Sequence, residues 1–252
     1  MKKAYLLALV ICLALLAGCN EKKDRVVLLA DMVVFDRAYI PALALTNEAD
    51  AARAQTAVML LRSQWELFKQ AHYRQDGTKS AEWQAVFDEM DRRIVAADDA
   101  TRNGNLPLAH TELEGVRTTL LQARRSNKIE YYLDYFTAFH TPMEAIVQAT
   151  KGQTPATLSD AELAQIGQDL ATARARWEEL VQAEYDAPLF DLSAEKSAML
   201  WTEMERESAA LKELSAALQR GDQAAVLQTA PEIRTHFATA YRLFGDFDRV
   251  NN

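Results

Sequence analysis

The chain has 252 residues, with 28 basic against 36 acidic side chains and a net charge of −8. Such an excess of carboxylate repels phosphate backbones and anionic lipid headgroups, which excludes nucleic acid as a partner. Eight glycines and six prolines are few for this length, and Ala, Leu, Glu, Gln and Arg dominate, so the composition favours helix over strand throughout.

Lys2 and Lys3 open the chain, and an unbroken apolar run from Ala4 to Ala17 follows. A helix needs about 20 apolar residues to cross a bilayer, so this run is too short to span and reads as a secretory signal. It closes on Leu16-Ala17-Gly18-Cys19, which resembles the lipobox of bacterial lipoproteins. The resemblance implies removal of residues 1–18, acylation of Cys19 and a mature chain attached to a membrane through that lipid. In enteric lipoproteins an aspartate after the cysteine retains the protein in the inner membrane. Asn20 stands there instead, which implies sorting to the outer membrane, facing the periplasm.

Cys12, the other cysteine, leaves with the signal, so the mature chain has no thiol and its core must hold by burial alone. Loss of Lys2 and Lys3 leaves 26 basic against 36 acidic side chains, a net charge of −10. Residues 19–25 are a short mixed-charge tether, and the remainder is long enough for one large domain or two small ones.

From the tether onwards no stretch alternates apolar and polar residues as a strand would. The spacing predicts helices over 26–46, 48–75, 80–103, 105–126, 128–150, 159–184, 193–219 and 222–247. Ser159-Asp160-Ala161-Glu162 is a capping box, in which the serine oxygen and the glutamate carboxylate satisfy the first orphan amides reciprocally. Ser80 and Ser193 also precede helical runs, and breaks fall at Gly77, Asn103-Gly104, Gly152 to Pro155 and Arg220-Gly221-Asp222. Ser126 and Asn127 either end a helix or let one long helix run through.

The eight helices read as four, twice. Phe35 precedes Pro41 by six residues, as Phe136 precedes Pro142. Trp65 and Trp177 each begin a Trp-Glu pair followed by Gln-Ala and Tyr at the same offsets, and Arg117 and Arg234 each lie 13 residues past a glycine, Gly104 and Gly221. Ala109, Leu113, Val116, Leu120 and Ala123 answer Val226, Ala230, Ile233, Phe237 and Ala240, both series stepping 4, 3, 4, 3 as a seam facing other helices does. The expected fold is therefore all-α, a tandem duplication of an antiparallel four-helix bundle, with copies at 26–127 and 128–252.

Leu218-Gln219-Arg220-Gly221-Asp222, Ile233-Arg234-Thr235 and Tyr241-Arg242, with the matching end of the first repeat, resemble the last helix of the periplasmic four-helix-bundle cytochromes, the b-type and c-prime families. The haem chemistry of those families is missing. The chain has no Cys-x-x-Cys-His, and the b-type ligand histidine is replaced by Tyr241 in one copy and Arg124 in the other. The resemblance implies a shared fold without the cofactor, so no cofactor is expected.

His110 with Glu114 and His140 with Glu144 are spaced i, i+4, each pair on one helix face. No histidine recurs at the same place in both copies and no Glu-x-x-His pair appears, so His72, His110, His140 and His236 read as surface or seam-edge residues and no metal site is expected. His140, just before Pro142, is the one with most reason to be a ligand. Trp65, Trp83, Trp177, Trp201, Phe35, Tyr39, Phe136 and Phe139 read as core filling, and Asp98-Asp99, Glu178-Glu179 and Glu203/Glu205/Glu207 as solvated faces. With no phosphate loop, serine elbow or catalytic cysteine, the chain is expected not to be an enzyme. Two functions from different classes follow. One is an envelope interaction or scaffold protein that binds another envelope protein through an acidic surface or the groove between bundles. The other is a small-molecule or metal binder derived from a cytochrome-like bundle.

Overall fold

The computed structural model describes residues 25–48, 50–73 and 81–251, and every regular element among them is helical. The predicted signal, Cys19 and the tether up to residue 24 lie outside the described residues, as do Gly77 and Ser80. No helix among the described residues is long and apolar enough to cross a membrane. Residues 25–46 are helical and are labelled α1. The long helices that follow are α2 (Ala51–His72), α3 (Ala81–Arg102), α4 (Leu106–Ser126), α5 (Leu133–Thr150), α6 (Asp160–Gln182) and α8 (Ala194–Gln219). Shorter ones are α7 (Ala187–Phe190), α9 (Gln223–Thr229), α10 (Glu232–Arg242) and α11 (Asp248–Asn251).

Local chemistry sets most of these boundaries. Ser159 caps α6 through the full reciprocal box with Glu162, and Ser193 caps α8 by accepting from the Lys196 amide. Asp50, Asn105 and Asp222 cap α2, α4 and α9 in the same way. Gly104 and Gly221, at φ +73° and +66°, end α3 and α8 in the left-handed conformation that glycine adopts without strain.

Two differences from the sequence expectation have a clear local cause. The helix expected from 128 begins at Leu133, because Asn127 caps α4 and Lys128 turns left-handed at φ 53°. The expected helix 222–247 is divided between α9 and α10 at Pro231, which has no N–H to give to the ladder and whose ring crowds the preceding turn. In the first half Glu114 occupies the matching place and α4 runs through unbroken. The short α7 and α11 carry too few residues to show helical periodicity.

Packing follows the two halves of the chain. α2, α3 and α4 pack in succession. α1 lies against them, with Phe35 6.0 Å from the Trp65 ring and the Tyr39 hydroxyl donating to the Leu113 carbonyl at 2.8 Å. In the second half α5 packs on α6, α6 on α8, α8 on α10 and α10 back on α5. Both expected seams are buried along their whole length, Ala109 to Ala123 and Val226 to Ala240. Trp65 donates from its indole to Asp91 at 3.0 Å and Trp177 to Ser208 at 2.8 Å, so each amphipathic ring sinks into the core with its N–H satisfied.

The buried apolar side chains form one continuous cluster across both halves, and α1 carries much of the join. Its Arg37 donates to the Phe190 carbonyl and to Asp191, and the Arg37 carbonyl accepts from the Asp246 amide at 2.9 Å. The acid clusters depart from the expected solvated faces. Glu178, Glu179 and Glu205 are exposed, whereas Asp98, Glu203 and Glu207 are buried. Asp98 accepts from Arg62 and Arg102, and Glu203 faces Arg206 and His236. Glu207 has no such partner.

Candidate functional site at the junction of the two halves

α1, α4, α5 and α10 enclose a cleft of about 250 Å³. α4 delivers His110, Glu114 and Arg117, spaced i, i+4, i+7 on one face. α5 delivers His140, and α10 delivers Arg234, Phe237 and Tyr241. Arg117 and Arg234, the matched arginines of the two halves, therefore line the same cleft.

Arg117 is buried, pairs with Glu114 and bonds to His140 Nδ1. An arginine only donates, so His140 Nδ1 accepts and its proton sits on Nε2. That Nε2 stands 3.9 Å from Glu114 Oε1, a gap too wide for a direct hydrogen bond. Burial first, and then the charges of Arg117 and Arg234, push the imidazole down to about 2, so it stays neutral throughout the physiological range. His110 donates from Nδ1 to the Leu43 carbonyl at 3.1 Å, which turns its Nε2 towards Glu114 at 3.5 Å.

Glu144 is not paired with His140 as the i, i+4 spacing suggested. It accepts from Gln148 at 2.6 Å, and its other oxygen, buried and without a hydrogen bond, lies 3.8 Å from Arg234. Arg242 pairs with Glu48 at 2.6 Å across the mouth and lies over the Phe247 ring. Tyr241 stacks on Phe237 with centroids 5.9 Å apart, and burial pushes its phenol well up, so it is un-ionised. The site thus presents neutral donors together with three Arg–Glu pairs, of which Arg234–Glu144 is the loosest.

The other two histidines weighed in the sequence lie elsewhere. His72 bonds to Asp31 at 2.8 Å and His236 to Glu203 at 2.9 Å, each alone. Among the described residues no group of three or more His, Cys, Asp or Glu is arranged to hold a metal. Of the two residues that the cytochrome resemblance would set at a haem-ligand position, Tyr241 lines the cleft, while Arg124 is buried and bonds in bidentate fashion to Asp134. Arg124 also lies 4.6 Å over the Tyr131 ring, and the Tyr131 hydroxyl donates to Asp36 at 2.5 Å. Burial raises Asp36 to about 6, against the opposing effects of Arg124 and Tyr131.

Most of the expected aromatic candidates are core residues: Phe35, Tyr39, Trp65, Phe136, Phe139 and Trp177 are buried. Trp201 is 44% exposed. A second cavity, of about 510 Å³, is lined by tyrosines that the sequence did not mark as a pocket, Tyr131, Tyr132, Tyr135 and Tyr185. Comparison with known protein families, curated proteins and solved structures finds no match, so a functional reading starts from this geometry.

Proposed function

We propose that this is a non-catalytic protein of the bacterial envelope, held by lipid on Cys19, facing the periplasm from the outer membrane, and acting by binding another envelope protein. The architecture proposed is a tandem duplication of an antiparallel four-helix bundle. It is supported by Trp65 and Trp177, whose indoles donate to Asp91 and Ser208, residues that each precede the matched glycines Gly104 and Gly221 by 13 positions.

The observation that carries the interaction reading is the convergence of Arg117 and Arg234 on one open cleft. Two equivalent arginines, one from each half, meet where neither half alone would place a pocket. Arg234, more than a third exposed and 3.8 Å from its glutamate, has the freest guanidinium. It suits a carboxylate of an acidic segment in the partner, since a guanidinium offers paired donors to a carboxylate.

A photoreactive side chain introduced at Ala238, on the cleft, tests this in living cells. A discrete adduct is expected there, absent from a control at exposed Thr172 on α6 and lost with Arg234→Glu. Equal adducts from both positions, or an adduct indifferent to Arg234→Glu, refute the reading. A second reading, small-molecule binding, is favoured by the tyrosine-walled cavity.

A further inference from the structure

The second cavity lies where the start of α5 meets the end of α6 and the short α7. Four tyrosines line it, Tyr131, Tyr132, Tyr135 and Tyr185. The Tyr132 ring is centred 5.2 Å from Tyr185 and 6.5 Å from Tyr135, tilted by 35° and 54° respectively. Three of the four hydroxyls are turned away into the protein, that of Tyr131 to Asp36. Tyr185 donates to Ser197 at 2.9 Å, and Tyr132 points at the Met204 sulfur at 3.9 Å. Those three rings are thereby fixed, and what they offer the cavity is aromatic carbon. Glu130, Glu184 and Asp186 stand at its rim, all exposed, and among the described residues no lysine or arginine lines it.

We propose that this cavity binds an alkylammonium group, an organic cation with methylated nitrogen. Aromatic faces carry negative electrostatic potential and attract a cation lying within about 6 Å of the ring centre. The three carboxylates add attraction on a chain that already carries net negative charge. An anionic ligand would meet carboxylates with no cation to offset them, and a neutral one would gain nothing from the rim. A methylated ammonium needs no hydrogen-bond acceptor, which suits walls whose hydroxyls are already turned to Ser197 and Met204. The volume, about 510 Å³, lies within the range of small-molecule sites. The inference is independent of the cleft, shares no lining residue with it, and stands whether or not the cleft binds a protein.

Calorimetric titration of the purified protein with choline tests it against 3,3-dimethylbutan-1-ol, the neutral compound of the same shape. Saturable choline binding is expected, with the neutral compound roughly tenfold weaker or worse. Trp201, whose ring is 6.4 Å from Tyr185, should report the same event by fluorescence. Tyr185→Phe and Tyr135→Phe keep the ring and should bind within a few-fold of wild type, whereas the corresponding Leu variants should lose roughly tenfold. Glu184→Gln, at an exposed position that does not endanger folding, should weaken binding at low salt and flatten its salt dependence.

Vesicles of phosphatidylcholine against phosphatidylglycerol separate the two sources of the group. Binding of free choline without a preference for phosphatidylcholine assigns a soluble ligand, and vesicle preference without free choline binding assigns a lipid headgroup. Absence of both overturns the proposal. So does equal binding of the neutral compound, or a Glu184→Gln protein that binds choline with unaltered affinity and salt dependence.

Discussion

Glu207 is the most informative single residue to change. It lies on α8 with no exposed surface, and neither carboxyl oxygen accepts a hydrogen bond of normal geometry. Burial raises its pKa from 4.5 to about 9, with only the Phe237 backbone N–H favouring the charged form. The folded protein therefore holds a proton that the unfolded chain releases above 4.5. Between those two values the native state binds one more proton than the unfolded state, so stability falls as pH rises. Each unit of pH costs about 1.36 kcal/mol across that window. At pH 7 the carboxyl costs the fold about 3 kcal/mol, from the interval between 4.5 and 7.

Glu207→Gln keeps the shape and removes the titration. Near pH 5 it should match wild type closely. At pH 7 it should be more stable by about 3 kcal/mol, a rise in melting temperature of roughly 6–12 °C for a chain of this size. By pH 8 the gap should widen by about another 1.4 kcal/mol. Urea unfolding followed by circular dichroism at pH 5, 7 and 8 measures it, and the titrations of other groups cancel in the difference between the two proteins. A gap that stays constant from pH 5 to 8, or narrows, refutes the reasoning. Glu207→Met, which installs the residue found at the matching place in the first half, buried Met90, should stabilise at all three pH values because it removes both unpaired oxygens.

Asp36→Asn should remove a second contribution to the pH profile: its stability relative to wild type should rise as pH goes from 3.8 to about 6 and stay constant above that, the Glu207 slope being common to both proteins. Arg124→Ala leaves Asp134 as a buried carboxylate without its bidentate partner and should cost about 3–5 kcal/mol in chemical denaturation. Gly245→Ala places a methyl group 2.9 Å from both Ile40 and Phe247 and should lower stability by about 1–3 kcal/mol, read by thermal melting. Cys19→Ala should abolish labelling by a radioactive fatty acid while the precursor is still exported; equal labelling of wild type and variant refutes the lipobox reading.

The helices were legible because their signals are local. Ser159 with Glu162, Ser193, Gly104 and Gly221 act within a turn of themselves, and each ends or starts a helix where the residue type requires it. The two 4, 3, 4, 3 seams were legible for the same reason, since periodicity records which face is buried. Pro231 was equally local, and its break could have been read from its missing N–H. What could not be read was which helices meet. Glu203 and Glu207 look solvated in a run rich in charge, yet α10 covers that face of α8, through His236 in one case and the Phe237 backbone in the other. The cleft draws His110, Glu114 and Arg117 from one helix and His140 and Arg234 from two others, and no spacing along the chain encodes that meeting. Tyr131, Tyr132, Tyr135 and Tyr185 were not marked as a pocket because a cavity is a property of helix ends brought together.

Where the halves agree, most of the agreeing residues build the fold, the seams and tryptophans its core and the glycines its helix ends, while Arg117 and Arg234 line the cleft. At three of the places where they disagree, a polar residue sits in an apolar or junctional setting. Tyr39 is matched by His140, Arg124 by Tyr241 and Met90 by Glu207. His140 and Tyr241 line the cleft, Arg124 anchors Asp134 beneath Tyr131, and Glu207 lies unpaired in the second half's core. If the halves are copies, the shared residues suffice for folding and the departures call for another reason. A fold tolerates a local rule broken without compensation chiefly where function requires it. Glu207 carries the largest such cost and so separates two accounts. Should Glu207→Met raise stability and leave the cleft adduct unchanged, the carboxyl is a relic of drift. Should it raise stability and abolish the adduct, the buried acid sets how α10 presents Arg234 and Tyr241, and the second half has given up stability to shape the cleft.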